Sequence, residues 1–465
     1  MKIGFISLGC SKNLVDTEMM IGLANSNKFE IVNSEQEAEI IIINTCGFIE
    51  SAKQEAINTI LEMAQYKEEG NCKYLVVTGC LVQRYKKDLQ ESLPEVDLFI
   101  SIDEYNEFGK KLEELTNQKN KKCSLEYGNR YITTGNATAY LKIAEGCSNY
   151  CTYCAIPYIR GKYISRPMEE ILEEASKLNE QGFKEIIVIA QDTTKYGIDI
   201  YGKPMLAELL QKLCKFENFK WIRFLYSYPE SVTDELIQTV KQNEKICKYF
   251  DIPIQHISDP VLKGMNRKST GKQIEETINK IRKEIPEAVL RTSLIVGFPG
   301  ETQEDFDKLY KFVETAKFNK LGVFEYSKED GTPAEKLKGQ TPAKIKNIRW
   351  NQIMSLQQQI SEQKLKQHIG KEYEILVEKI NEKYIIGRTT MDVPEMDRLS
   401  LPKKHNQSKH RRLHNRKNNK CKRIRFNWGR FLMGYFTPLG TDLLSVNVTE
   451  EGEVLKCTPN VRQKI

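Results

Sequence analysis

Cys147, Cys151 and Cys154 stand at a three-then-two spacing directly after the apolar run Leu141 to Ala144 and before a helix-like pattern. Three thiolates on one short loop suit three irons of a cubane and leave the fourth iron without a protein ligand. A structural site takes a fourth protein ligand, whereas a reactive cluster needs that position vacant for substrate or cofactor. The competing readings at this point are a zinc site and unrelated buried thiols.

The strand this loop follows opens a repeating pattern. From about Asn136, strand-like runs at Tyr140 to Ala144, Glu185 to Ala190, Trp221 to Tyr226, Tyr249 to Ile254, Arg291 to Val296 and Gly322 to Tyr326 alternate with helix-like stretches such as Met168 to Leu178 and Gln303 to Ala316. Six such units read as a partial TIM-type barrel, with its site at the carboxyl ends of the strands. Candidates there are Gln191-Asp192-Thr193-Thr194, Ser227-Tyr228-Pro229, Gln255-His256, Gly297-Phe298-Pro299-Gly300-Glu301 and Ser327. The Gly297 segment also fits a plain type II turn before a helix. His256 fits either a proton-transfer group or a satisfied structural histidine.

Residues 1–128 read as a separate α/β unit in which each of three strands runs into a cysteine. These are Leu8-Gly9-Cys10, Asn44-Thr45-Cys46-Gly47 and Thr78-Gly79-Cys80. The carboxyl ends of an open parallel sheet line one crevice, so Cys10, Cys46 and Cys80 converge despite their separation in sequence. Three converging thiolates make a second cluster site, and the adjacent glycines let the backbone approach an inorganic core. Unrelated buried cysteines are the alternative.

These residues carry a resemblance to a known family. Cys147, Cys151 and Cys154, with Tyr153 before the last cysteine, resemble the cluster loop of the radical S-adenosylmethionine (SAM) enzymes. The resemblance implies that the open iron chelates SAM, that an electron cleaves it to a 5'-deoxyadenosyl radical, and that Gly297, Gly300 and Glu301 lie along the SAM ribose and methionine. By their strand-end position, Gln191 and Asp192 sit where hydroxyls of the ribose or of the substrate could be bound. Leu8 to Asn13, Asn44 to Phe48 and Gly79 to Leu81 resemble the N-terminal domain of the methylthiotransferases, a radical SAM subgroup. In that subgroup the matching cysteines, here Cys10, Cys46 and Cys80, hold an auxiliary 4Fe-4S cluster. Two 4Fe-4S clusters and SAM are therefore the implied cofactors. Arg160 and Arg166 flank the cluster loop, suited to balancing an anionic cluster, gripping an acidic substrate or sitting on the surface.

The subgroup has two large branches. One modifies an adenosine of tRNA; the other modifies an aspartate of small-subunit ribosomal protein 12. Leu14 to Glu18, Tyr153 to Pro157 with Ile159 to Gly161, and Met391 to Glu395 resemble the ribosomal-protein branch. The tRNA branch typically carries a Gln-Met-Asn type segment where this chain reads Ser11-Lys12-Asn13. The implied reaction abstracts hydrogen from the β-carbon of that aspartate and installs a methylthio group, on the free protein or the assembled small subunit. A sulfur donor and a reductant are further partners that the residues do not specify.

After the polar helix-like stretch Pro342 to Lys366, residues 367–397 resemble the start of the family's small β-barrel, the TRAM domain. Residues 398–465 break the pattern. Arg398 to Arg430 holds 13 Lys or Arg, three of the five histidines and no acid, so the net charge of +7 is a property of the tail. Three readings stand side by side: a basic arm over Lys403 to Arg425 that contacts ribosomal RNA, a solvated disordered segment, and a reading-frame change after Asp397. With 465 residues the chain holds two or three domains. No apolar run reaches 18 residues and Met1 to Phe5 already reads as a strand, so no membrane partner and a cytoplasmic location are expected. The twelve cysteines then read as metal ligands, redox groups or buried thiols rather than disulfides.

Overall fold

Ile40 to Ile43 offer no polar face to solvent, and they form the middle of a parallel sheet buried on both sides. In the computed structural model, which describes residues 1–368, 371–380, 384–394, 399–402 and 422–425, this strand is β3 (Ile40–Thr45). It lies between β1 (Lys2–Ser7) and β4 (Tyr74–Gly79), with β2 (Glu30–Ile31) and β5 (Leu98–Ile100) at the edges. Ile41 and Ile43 pack with Ile60, Leu75, Val77 and Leu89 on one face; Ile40 and Ile42 pack with Met20, Leu23, Val76 and Phe108 on the other. The sequence pattern marks three of these five strands. The two edge strands are two and three residues long, too short for a periodic signal.

The six expected strand-helix units are present. β6 (Thr138–Lys142) is followed by a short antiparallel ribbon, β7 (Ala144–Glu145) with β8 (Ile164–Ser165), which brackets the cysteine loop. β6 then pairs in parallel with β9 (Glu185–Ile189), and β9 with β10 (Trp221–Phe224). A second parallel sheet holds β11 (Tyr249–Asp251), β12 (Val289–Val296) and β13 (Lys320–Glu325). Amphipathic helices such as Met168–Glu180 and Gln303–Ala316 bury Ile171, Ala175, Leu178 and Phe306, Leu309, Val313 respectively.

The chain divides into two compact units. One contains Met1–Ile246, Asp259–Thr270 and Ser327–Gly339; the other contains Cys247–Ser258, Gly271–Tyr326 and the described residues from Gln340 on. This division falls inside the six-strand series.

A buried ion cluster explains why the first unit joins the N-terminal sheet to β6. Asp16, on the helix Ser11–Ser26, receives Lys142 Nζ at 2.5 Å and Arg160 Nη1 at 2.7 Å. Both cations also reach Glu145, at 2.8 and 3.2 Å. Glu145 is held far below the usual carboxylate range by Lys142 and Arg160 against its burial. Nearby, Glu18 binds Arg130, whose guanidinium also meets Glu174.

In the second unit the helix Ala343–Lys366 lies along β13, with Trp350 Nε1 donating to Val323 O at 3.0 Å. An antiparallel sheet follows: β14 (Glu372–Ile380), β15 (Tyr384–Arg388), β16 (Leu399–Pro402) and β17 (Lys422–Arg425), in the order β16-β15-β14-β17. Two of these strands come from the stretch after Asp397, where the sequence shows no alternating run. The remainder of the basic arm, 403–421, and the segment 426–465 lie outside the described residues. No helix among the described residues is long and apolar enough to cross a membrane.

Removing one member of the Asp16 cluster leaves a buried charge uncompensated. Asp16→Ala is expected to lower stability by about 3–5 kcal/mol, read as a fall in the urea midpoint at unchanged slope. An unchanged midpoint would remove the cluster from its structural role.

Candidate active site

β1, β3 and β4 are adjacent and parallel, so their carboxyl ends deliver Cys10, Cys46 and Cys80 to one edge of the sheet. Glycines permit the close approach. A Cβ on Gly9, at φ +98°, would stand 2.9 Å from the Cys46 Cβ, and one on Gly47 would stand 2.7 Å from the Leu81 Cα. On Gly79, at φ +100°, it would strike Asn44 Oδ1 and the Thr45 carbonyl. Asn13 pins the ends together: its Nδ2 donates to Leu8 O at 3.1 Å and Thr45 O at 3.0 Å. Its Oδ1 accepts from Arg160 Nη2 at 2.6 Å and from Cys80 Sγ at 3.6 Å. Arg160 Nη2 also reaches Cys80 Sγ at 3.4 Å.

Cys80 is buried, Cys46 half-buried and Cys10 exposed. Burial pushes the Cys46 thiol up to about 12, with Cys80 and Cys10 adding to the shift and Arg160 opposing it. Cys80 is raised for the same reason. Among the described residues no group of three Cys, His, Asp or Glu side chains could hold one metal ion. A cubane does not ask for that, because each thiolate takes a separate iron corner. The glycine-lined approach and the guanidinium beside Cys80 fit an anionic, bulky inorganic group.

The second triad sits in the loop bracketed by the β7–β8 ribbon. Cys147 N donates to Gly161 O at 3.1 Å and Cys154 N to Cys151 O at 3.0 Å. Asn149 Nδ2 donates to Asp192 Oδ2 at 3.0 Å while its Oδ1 accepts from Lys195 Nζ. Thr152 is held on both sides, donating to Met265 O at 3.0 Å and Gly264 O at 2.8 Å and accepting from Ala334 N at 2.9 Å. Cys151 Sγ lies 3.8 Å from the Tyr228 hydroxyl and 3.9 Å from Arg267 Nη1, and the Arg267 guanidinium stacks on the Tyr228 ring at 4.2 Å. Burial raises Cys147 and Cys154 above the usual thiol range. Tyr153 is raised by burial and by Cys151.

Several expectations change. The strand at Trp221 ends at Phe224, and Tyr226 turns into the left-handed region at φ +64°, so neither Tyr226 nor Tyr228 is core. Tyr226 lies under Lys12 and Tyr228 faces Cys151. Arg160 and Arg166 are both buried rather than on the surface. Arg166 serves the fold, bound to Glu174 at 2.7 Å and stacked on Tyr127 at 3.6 Å. Arg267 has no signal in the sequence, since it lies over a hundred residues from the cysteine it meets. Asn149 carries a weak one, a polar side chain between two cysteines.

Gln191 follows β9 and donates to Glu145 Oε1 at 3.0 Å, while its buried Oε1 has no hydrogen-bond partner. In the second unit, Gly297 and Gly300 take φ of +73° and +85°. Glu301 shapes their loop: its Oε2 accepts from Gly297 N at 2.6 Å and Phe298 N at 3.1 Å, and its Oε1 from Arg349 at 2.8 Å. His256 is fully buried and its Nδ1 accepts from Ser258 N at 3.0 Å. Burial lowers its pKa to about 3 against the opposing pull of Asp305, and its buried Nε2 has no hydrogen-bond partner.

The family described as Radical SAM superfamily matches residues 141–313, and Uncharacterized protein family UPF0004 matches residues 2–101. Among solved structures, the radical S-adenosylmethionine methyltransferase TsrM from Kitasatospora setae aligns with a TM-score of 0.53 at 12% identity, covering 72% of this chain and 76% of that one; this likeness is one of fold. The class is that of the radical SAM enzymes. Over 400 residues the chain is 63% identical to ribosomal protein uS12 methylthiotransferase RimO of Alkaliphilus oremlandii (strain OhILAs), covering 85% of this chain and 91% of that protein. The corresponding protein of Clostridioides difficile (strain 630) is 51% identical over 407 residues, 86% and 92% of the two chains. The chain belongs to this family of uS12 methylthiotransferases, and its cofactors are SAM and 4Fe-4S clusters.

Two measurements check the site. Anaerobic reconstitution should give about eight irons per chain, and about four when either Cys147, Cys151 and Cys154 or Cys10, Cys46 and Cys80 are changed to alanine. A fall to none in either variant would contradict two independent clusters. His256 has a pKa depressed from 6.5, so its neutral form contributes stability that is present above 6.5 and is lost as pH falls toward 3. Between pH 7.5 and 5.5 the wild type should lose about 1.4 kcal/mol more than His256→Gln, measured by urea unfolding. Equal losses would mean that His256 titrates normally.

Proposed function

We propose that this chain adds a methylthio group to the β-carbon of an aspartate in ribosomal protein uS12, in the cytoplasm, on the free protein or the assembled small subunit. The observation that carries the reading is the presence of two separate cysteine triads, at the strand ends of two sheets, within one compact unit. A simple radical SAM enzyme needs only one. The β C–H bond of an aspartate is too weakly acidic for any side chain to deprotonate at a useful rate, so acid-base chemistry is ruled out.

Cys147, Cys151 and Cys154 would hold one cluster, which would supply the electron for SAM cleavage, and Cys10, Cys46 and Cys80 would hold a second, which would supply the sulfur of the methylthio group. The chain's own residues orient and shield these sites. Asn149, with Asp192 and Lys195, fixes the turn between the first two cysteines of the loop. Arg267 and Tyr228 cover Cys151, and Arg160 covers Cys80, excluding water and placing positive charge beside each triad. Tyr153, Gln191 and the backbone of Gly297 and Gly300 are our candidates for SAM contacts, with Glu301 holding that loop in shape. The basic stretch after Asp397 supplies, in this reading, phosphate contacts to ribosomal RNA.

The test offers the reconstituted enzyme, SAM and a chemical reductant either purified uS12 or tRNA. Mass spectrometry should find a methylthio group replacing hydrogen on an aspartate of uS12. The group appearing on a tRNA adenosine, with uS12 unchanged, would overturn the assignment.

A further inference from the structure

Lys12 lies two residues after Cys10, in the first turn of the helix Ser11–Ser26, and is only 7% exposed. Among the described residues its ammonium meets no carboxylate and donates no hydrogen bond. Its recorded contact is the face of Tyr226, with Nζ 3.2 Å from the ring centroid. Other buried cations of the same unit meet acids, Lys142 and Arg160 at Asp16 and Glu145, Arg130 at Glu18 and Arg166 at Glu174, while Arg267 lies against Cys151 and the Tyr228 ring. A buried cation without an anion is strongly disfavoured, and a single ring face returns only part of what water gave. The local design therefore leaves one positive charge to be completed by something absent from the chain.

Its position narrows the chemistry. Lys12 belongs to the segment that begins at Cys10, and Tyr226 follows the carboxyl end of β10, where its carbonyl accepts from Thr193 N at 3.0 Å. The ammonium thus stands between the auxiliary triad and the strand ends at which a barrel of this kind binds its reactants. An aspartate carries its carboxylate one bond from the carbon to be modified, so a cation holding that carboxylate also fixes the reacting carbon.

We propose that Lys12 is a substrate-binding residue whose ammonium pairs with the carboxylate of the target side chain. This rests on the uS12 reading given above. SAM also carries a carboxylate, and the experiment separates the two sources.

Binding of purified uS12, and of uS12 with its target aspartate changed to asparagine, is measured on the reconstituted holoenzyme for the wild type, Lys12→Met and Lys12→Arg. Iron content and SAM affinity are measured in the same samples. The wild type should prefer the aspartate form by roughly ten- to a hundredfold, as a charge-assisted contact would give. Lys12→Met should bind both forms equally, and Lys12→Arg should recover part of the preference, with SAM affinity the same in all three. A preference retained in Lys12→Met would overturn the proposal. A loss of SAM affinity with the preference intact would also overturn it, giving the ammonium to SAM. If Lys12→Met loses iron, Lys12→Gln, which keeps polarity and length, is read by the same criteria. Failure of the wild type to bind or modify uS12 at all would instead bring down the functional reading, and the proposal with it.

Discussion

Asp16 binding Lys142 and Arg160 is the interaction on which the arrangement of the site depends. Each partner comes from a different part of the chain: the helix after Cys10, the strand before Cys147 and the short helix after Cys154. Glu145 completes a set of two acids and two bases, so the group is neutral as a whole while no member is neutral alone. Attraction in so dry a place is strong only when the geometry holds, which makes the cluster a ruler between the two triads as well as a bond. The apolar contact of Cys80 with Ala155 and Ile159 runs beside it and shares the load.

The same reasoning distinguishes the two triads. The loop of Cys147, Cys151 and Cys154 is local in sequence and is braced by backbone bonds to Gly161 and Met265 and by the Thr152 hydroxyl on Gly264 O. Cys10, Cys46 and Cys80 have no loop in common, and their proximity is a property of the sheet. Three glycines remove the Cβ atoms that would otherwise keep those strand ends apart. The segment Ser327–Gly339 reaches both regions, since Ala334 binds Thr152 while Asp330 meets Lys53 at 3.3 Å and the Tyr85 hydroxyl at 3.0 Å.

Much of this was legible in the residues. Continuous apolar runs such as Ile40 to Ile43 mark buried parallel strands, and strand-glycine-cysteine junctions mark where three of them end. The six-unit series and the motif resemblances pointed to the family to which the chain belongs. What stayed hidden depends on burial and on distance along the chain. Nothing local says that Arg267 reaches Cys151, that Glu301 folds back on its own loop, or that Lys12 is enclosed without an acid. The Trp221 strand ends at Phe224, two residues before the apolar pattern does, because the left-handed turn at Tyr226 is carried by a tyrosine, which gives no warning of it. In the tail, Leu399–Pro402 is too short to show alternation and Lys422–Arg425 is hidden by its charge; the first pairs with the preceding strand and the second with β14, some fifty residues back.

The unequal burial of Cys10, Cys46 and Cys80 has a consequence for the enzyme's lifetime in air. Dioxygen and peroxide arriving through water would meet Cys10 first, whereas Cys80 is buried beside Arg160 and Ile159. Oxidative damage to this region should therefore begin at one corner and leave the rest of the protein fold standing.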